Sequence, residues 1–559
     1  MTYSVSKIDN NLKILLDNEY SWDSSESSRG KAFFKGLFWY QGIYYKGTQA
    51  CNKLLNIFSL VFTDDSEFQD IIARFTGHYS FIVDIQDFII ACVDKVRSYP
   101  VYYSNKRKLL VSNSANMIKE TLGDDKISET ALLEFKMSGY TLGAKTLVKD
   151  ISQLQPGEFL VFNKPLNRFN KYRYFRYLTN QYLVADEKEL IEKLHAATLV
   201  TFKKMIESLD GKPVFLPLSG GLDSRLILAM LKNNNYDNIV SYTYGLKGVW
   251  EIKRAKYIAE KLKINWHYIQ FKPHEVKKYF LTEDRQKYFR FAGGLNSAPH
   301  LAEYYALLEL RKKNLIPDDA IIINGQSGDF TSGGHLPKIL IETEKDKISI
   351  ESFIRTIIDK HFSLWLDIKT EINMREIFRE ILKLLNVSDN KCFTKDEFAK
   401  YFELHEWEER QSKFVVNGQR AYDWLNYDWR LPFWSDELIE FWMKVDWKDK
   451  FGQALYIKYL KKHNFGGLFD NINLPPQFSY YPTWIKLTKP IFFIAGKLFN
   501  KKADYYDRKY LKYFKTYAPF YPQLKLSEFI KDSEWHRNSV SYFMKYYLNE
   551  FNNVNTLEM

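Results

Sequence analysis

Two short glycine-rich stretches carry the residues most capable of chemistry. The first is Ser219-Gly220-Gly221-Leu222-Asp223-Ser224-Arg225, between the apolar runs Val214–Leu218 and Leu226–Leu231. That context reads as a strand, a tight turn and a helix start. Adjacent glycines let the backbone turn sharply and approach a ligand closely. The first helical turn then offers unpaired N–H groups and a positive dipole end to an anion. Two serine hydroxyls add donors. Asp223 would repel a phosphate unless Mg²⁺ sat between them. The stretch lacks the Gly-Lys-Ser/Thr ending of a Walker A loop. Its plainest alternative is a serine-rich helix cap.

The second stretch follows Ile321-Ile322-Ile323. It reads Asn324-Gly325-Gln326-Ser327-Gly328-Asp329-Phe330, then Thr331-Ser332-Gly333-Gly334-His335. If the two turns sit at neighbouring strand ends, Asp223 and Asp329 can share a Mg²⁺ that bridges phosphates and stabilises a leaving pyrophosphate. A structural turn capping the next helix is the competing reading.

The elements that must position these turns are legible in outline. Residues 1 to about 170 read as β-rich, with Phe33–Tyr40 and Ile43–Lys46 as a hairpin. Strand-like runs follow at Tyr79–Val83, Phe88–Val93, Val101–Tyr103 and Leu109–Ser112, then a helix at Glu129–Met137 and a terminal strand at Gly157–Phe162. From about 185 the pattern alternates: strand Ile239–Tyr244, helix Glu251–Leu262, strand Trp266–Phe271, helix Leu301–Arg311, strand Ala320–Ile323. Alternation predicts a parallel sheet covered on both faces, with ligands at the carboxyl ends of its strands. Residues 340–400 read as an inserted helical layer, residues 400–559 as helical, and the tail from Glu550 as frayed.

At 559 residues the chain exceeds one ordinary core, and 45% apolar with 26% charged residues is a globular composition. The net charge of +12 is modest for this length and its lysines are scattered, which argues against a nucleic-acid partner. The densest basic stretch, Arg508–Lys515, reads as a solvated helix face. Cys51, Cys92 and Cys392 are far apart and without CxxC spacing, so we expect a cytoplasmic protein with neither disulfides nor a zinc site. Residues Met1–Val5 have no signal-peptide pattern. The apolar run Ile491–Ala495 falls short of the ~20 residues a stable membrane span needs.

The first stretch resembles the pyrophosphate loop of ATP-pyrophosphatases in their asparagine-synthetase form. The second resembles that family's Ser-Gly-Glu-Gly-Ser-Asp-Glu…Gly-Gly-Tyr motif. Gly325, Asp329, Gly333 and Gly334 keep the register; Gln326 and Phe330 replace glutamates and His335 a tyrosine. Tyr242-Thr243-Tyr244-Gly245, Glu251 and Arg430-Leu431-Pro432-Phe433-Trp434 match further family segments, and Leu455–Lys462 resembles the helix carrying its catalytic lysine. The resemblance implies ATP and Mg²⁺ as cofactors. Leu218, Ser219, Gly220, Gly221, Asp223, Ser224, Tyr244, Asn324 and Gly325 would bind ATP and pyrophosphate. Asp223 and Asp329 would hold the metal, and Lys458 and Asp223 would be catalytic. Glutamine cannot act as a carboxylate base, so Gln326 calls for a different amide-forming step.

The front of the chain resembles class II glutamine amidotransferase domains at Gly77–Asp84, at Asp94, Arg97, Pro100, Tyr102 and Tyr103, and at Ile151–Gly157. Such a domain needs an N-terminal cysteine whose own amino group acts as base. Position 2 is Thr2 and no cysteine precedes Cys51, so we expect a glutaminase-inactive domain.

The expected architecture is an α+β, Ntn-like β-sandwich domain at 1–175. An α/β parallel-sheet ATP-pyrophosphatase domain at 185–559, with a mainly helical C-terminal part, follows it. The expected activity is that of an asparagine-synthetase-like ligase that adenylates a carboxylate, releases pyrophosphate and then AMP, and joins the acyl group to an amine. Its partners would be small-molecule carboxylate and amine substrates, with a homodimer left open. A non-catalytic scaffold and a tRNA-modifying adenylating enzyme are the rival readings.

Overall fold

The computed structural model describes residues 3–5, 12–59, 66–123, 126–247 and 250–470. Beyond these it describes 490–491, 493–494, 497–498, 512–513, 524–532 and 535–557. Thr2, Phe492, Ala495 and most of Arg508–Lys515 bear on the expectations above and lie outside the described residues.

Among the described residues the front of the chain contributes twelve strands: β1 (Tyr3–Val5), β2 (Leu12–Leu16), β3 (Asp23–Ser27), β4 (Gly30–Tyr40), β5 (Ile43–Lys46), β6 (Thr76–Ile85), β7 (Phe88–Val93), β8 (Tyr102–Ser104), β9 (Leu109–Ser112), β10 (Ser152–Gln153), β11 (Glu158–Asn163) and β12 (Arg168–Arg173). One sheet has the order β1-β2-β9-β8-β10; the other runs β12-β11-β7-β6-β4-β3, with β5 on β4. Ile14, Phe33, Ile82, Ile89, Val111 and Leu160 pack between the two sheets. The far side of the larger sheet is covered by the helices Gly47–Phe58 and Ser66–Ile72, through Phe34, Leu54, Phe58, Phe68 and Phe81. Burial on both faces explains why β6 and β7 are nearly continuous apolar runs rather than alternating ones. Beyond the expected terminal strand at Gly157–Phe162, β12 pairs antiparallel with β11.

Next in the chain come β13 (Val214–Pro217), β14 (Ile239–Gly245), β15 (Asn265–Gln270) and β16 (Ile321–Ile323), followed by β17 (Lys347–Ser349), β18 (Cys392–Thr394) and β19 (Asp428–Arg430). Five of these form a parallel sheet of order β15-β14-β13-β16-β19. Strand alternation divides its side chains between two cores. Val214, Leu216, Ile321 and Ile323 face the helices Glu187–Glu207, Leu222–Asn233 and Ala454–His463. Phe215, Tyr242 and Ile322 face the opposite core, with the helix Ala302–Lys312. This double burial requires the unbroken isoleucine run at 321–323.

Three expectations differ from the structure. The 340–400 region is mostly helical, but β17 and β18 pair antiparallel within it. Each of these strands feeds a helix through a side-chain cap, Ser349 for Ile350–His361 and Thr394 for Lys395–His405. The 400–559 region is not all helical: β19 extends the parallel sheet, each of its residues paired with β16. Three residues in a helix-rich stretch leave no periodic signal. The tail from Glu550 stays helical through Leu557.

Front and rear are joined by polar contacts: the Asp436 carboxylate accepts from the Gly77 N–H at 2.9 Å and pairs with Lys95. Among the described residues no helix is long and apolar enough to cross a membrane. Cys51, Cys92 and Cys392 are all free.

Candidate functional site

The first glycine turn forms where β13 ends. Leu218 is buried, and both its peptide groups are engaged: its N–H donates to the Tyr242 carbonyl and its carbonyl accepts from Thr243 Oγ1, each at 2.7 Å. The chain then reverses through Ser219 and Gly220, whose φ of +76° is costly for any residue but glycine. Gly221 caps the helix Leu222–Asn233 without any side-chain hydrogen bond, leaving the first-turn N–H groups for another partner. The Gly221 N–H donates to Ser219 Oγ at 3.2 Å, and the Ser219 and Ser224 hydroxyls are 3.5 Å apart. The turn is thus an N–H-lined concavity edged by two hydroxyls.

Arginines flank it. A Cβ at Gly220 would meet the Arg254 side chain at 3.2 Å, so Arg254, from the helix Trp250–Lys261, lies against the turn. Arg225 is buried, donates through Nε to the Gly221 carbonyl and through Nη1 to the Leu468 carbonyl, and leaves Nη2 without a partner among the described residues. Burial, and then the neighbouring Arg254, push the Arg225 pKa down to about 10. Arg254 belongs to no motif in the sequence. The only sequence signal was its place one helical turn after Glu251.

The second turn leaves β16 and packs on the first. A Cβ at Gly325 would lie 3.1 Å from the Ser224 nitrogen, and one at Gly328 would lie 2.5 Å from Cγ of Asp223. Both glycines are therefore needed for the two backbones to touch. Asp223 accepts hydrogen bonds from Tyr456 Oη at 3.1 Å and from the Asp329 backbone N–H. Burial, and then the charge of Asp329, push the Asp223 carboxyl up to about 7. Two carboxylates crowded in this way are a donor set for a hard divalent cation. Mg²⁺ characteristically takes one or two carboxylates and completes its shell with substrate phosphates and water. ATP with Mg²⁺ fits these residues: uncapped N–H groups and hydroxyls for phosphate oxygens, Asp223 and Asp329 for the metal.

Asp329 is the exposed member of the pair, and its Oδ2 lies 3.2 Å from His335 Nε2. Burial alone would raise its pKa; the hydrogen bond and charge of His335 hold it below the usual range. His335 Nδ1 lies 2.6 Å from Oε1 of Glu406, a fully buried residue that opens a π-helical segment, Glu406–Val415. Lys360 Nζ reaches Glu406 Oε2 at 3.0 Å. Burial would lower the His335 pKa, but hydrogen bonds to Asp329 and Glu406 carry it up to about 9. The alternating row Asp329–His335–Glu406–Lys360 fixes the Asp329 carboxylate from behind. Glu406 and Lys360 went unnoticed in the sequence because a buried acid in a helical stretch has no signature there.

Asn324 donates its backbone N–H to the Arg430 carbonyl and its side-chain Nδ2 to Tyr422 Oη at 2.8 Å. Tyr244, at the end of β14, is half-buried and donates its hydroxyl to Glu303 at 2.8 Å. Gln326 accepts from Gln419 Nε2, an exchange between neutral amides. Lys458 is not brought to this arrangement. It lies on the outer face of the helix Ala454–His463, paired with Glu187 and half exposed. Tyr456, two residues earlier and on a different helical face, is the member of this helix that reaches Asp223.

Residues 208–478, which contain both turns, match the family model described as asparagine synthase. The chain carries an asparagine synthase domain. The front sheets lie outside the match to the asparagine synthase model, and no curated protein matches the sequence. Among solved structures, the NH3-dependent NAD synthetase from Campylobacter jejuni subsp. jejuni NCTC 11168, in complex with the nitrate ion, is 14% identical. The match covers 27% of this chain and 61% of that one, with a TM-score of 0.18. A glutamine phosphoribosylpyrophosphate amidotransferase from B. subtilis, complexed with ADP and GMP, is 11% identical over 54% of this chain and 63% of that one, TM-score 0.19. A structure described as the allosteric regulatory enzyme of purine biosynthesis is 9% identical over 64% and 60%, TM-score 0.18. The chain spans about three fifths of the length of each. Likeness at these scores carries no argument about the asparagine synthase domain.

Proposed function

We propose that the protein is an ATP-dependent carbon–nitrogen ligase that activates a carboxylate as its adenylate, releases pyrophosphate, and transfers the acyl group to an amine with loss of AMP. One observation carries this reading: the second turn stacks on the first, so that Asp223 and Asp329 adjoin beside an uncapped helix N-terminus. In this reading the Ser219–Ser224 turn binds the β and γ phosphates and Arg254 offsets their charge. Mg²⁺ held by Asp223 and Asp329 supplies charge stabilisation on the departing pyrophosphate. Leu218, Tyr244, Asn324 and Gly325 border the nucleoside. At this edge of the site Gln326 and Gln419 exchange a neutral amide hydrogen bond. The asparagine synthase match supports an amide-forming ligase, and the identities of acid and amine stay open within that class.

We also propose that residues 1–175 act as a structural domain without glutaminase activity. Cys51 does not supply a nucleophile, because it is buried and its thiol is pushed up to about 12 by that burial.

The test is carboxylate-dependent ATP–pyrophosphate exchange across a panel of acids. Exchange with at least one acid, lost in Asp223→Ala, is the expected result. Absence of exchange with every acid, together with Mg·ATP binding, would leave a nucleotide-binding scaffold instead.

A further inference from the structure

Glu303 is a half-buried carboxylate that its surroundings do not neutralise. It sits in the first turn of the helix Ala302–Lys312, on the face of the parallel sheet opposite the Leu222–Asn233 helix. Three tyrosine hydroxyls converge on it: Tyr242, Tyr244 at 2.8 Å and Tyr422. Tyr422 also receives a hydrogen bond from Asn324 Nδ2 at 2.8 Å, and the Asn324 Oδ1 accepts from the Gln326 N–H at 3.0 Å. Glu303 is therefore tied through two hydrogen bonds to the second glycine turn, and through Tyr244 to the carboxyl end of β14.

An acid in a helix first turn can be explained by the helix dipole. The dipole does not explain three hydroxyl donors gathered from β14 and the 420–424 helix onto one carboxylate. Nor does it account for the absence, among the described residues, of any lysine, arginine or histidine paired with it. Buried acids ordinarily have such a partner, because hydroxyls satisfy lone pairs without cancelling charge. The three tyrosine hydroxyls, one of them tied to the neutral amide of Asn324, surround a carboxyl group that has no cationic partner among the described residues. That environment selects a compact cation that can also donate hydrogen bonds.

Resting on the ligase reading above, we infer that Glu303 with its tyrosine cage is the subsite for the amine substrate, and that this substrate is an aliphatic ammonium, free ammonium or a primary alkylammonium, rather than an aromatic amine. The aspartates serve the metal and phosphates, and Glu303 serves the nucleophile's charge on the other side of the nucleoside.

The probes are n-butylammonium chloride and its neutral counterpart n-butanol, titrated into the full chain with AMP at pH 8 and followed by ligand-detected NMR. Wild type is expected to bind n-butylammonium at least about tenfold more tightly than n-butanol, a difference of about 1.4 kcal/mol. In Glu303→Gln, which keeps the shape and an acceptor oxygen, the preference should fall to within about threefold. A wild-type ratio near one overturns the inference even if the variant fails to fold; so does an undiminished ratio in a folded Glu303→Gln. Pyrophosphate exchange separates the two proposals. Missing exchange sinks the ligase reading, whereas a ratio near one with exchange intact sinks only the amine subsite.

Discussion

Gly328 lies where any side chain would strike Asp223: a Cβ there would be 2.5 Å from both Cγ and Oδ1. The missing methyl group is what lets the Asp329 N–H reach the Asp223 carboxylate. Gly328→Ala should therefore displace one aspartate from the other without emptying the core. We expect a loss of pyrophosphate exchange of about a hundredfold, the scale of a 1 Å misplacement in a preorganised site. Far-UV circular dichroism should stay native. Exchange within threefold of wild type would show that the two carboxylates need not adjoin.

Asp223 has a stability signature of its own. Its folded pKa of about 7 lies above the ordinary aspartate value, so this group favours the fold in its protonated form. That contribution is present below pH ~4 and is lost as pH rises through about 7. Asp223→Asn should raise the apo melting temperature at pH 8 relative to wild type while abolishing the further stabilisation by Mg·ATP. Differential scanning fluorimetry at pH 5 and pH 8, with and without Mg·ATP, measures both. A lower apo melting temperature for the variant at pH 8 would contradict the crowding of the two carboxylates.

His335 loses its contribution in the same direction but at higher pH. Its pKa is raised to about 9, so its bonds to Asp329 and Glu406 stabilise the fold fully below pH ~6.5 and are lost as pH rises through about 9. His335→Ala leaves Glu406 buried with Lys360 as its close partner. Breaking a buried ionic row typically costs about 3 kcal/mol. Chemical denaturation at pH 7 should show a loss of that order, and the difference from wild type should shrink between pH 8 and pH 10.

Lys458 and Tyr456 share a helix and separate the two views of it. Lys458 pairs at the surface with Glu187, and Lys458→Ala should alter stability by under about 1 kcal/mol and exchange by less than about twofold. Tyr456→Phe removes the hydroxyl on Asp223 and should cost about tenfold in exchange. The reverse ranking in a steady-state comparison would restore the lysine to the site.

Incubation of the purified protein with glutamine should yield no glutamate above the buffer rate. A robust release would mean that the front sheets hold a nucleophile other than Cys51.

The sequence by itself specified the two glycine turns, because their physics is local. A positive φ at Gly220 and an N–H-lined helix start are written in adjacent residues, and so is an isoleucine run that only a doubly covered strand can use. It also located most strands and helices to within a residue or two, since periodicity is likewise local. Only the tertiary structure decided which groups meet. β19 became a sheet strand by pairing with β16 across a hundred residues of intervening chain. The helix expected to deliver a lysine delivered Tyr456, because a two-residue offset turns a helical side chain to another face. Glu406 and Lys360 behind His335, Arg254 beside Gly220, and the three tyrosines on Glu303 come from segments far apart in the chain. Their convergence follows from packing two cores on one sheet, a long-range outcome that no window of sequence records.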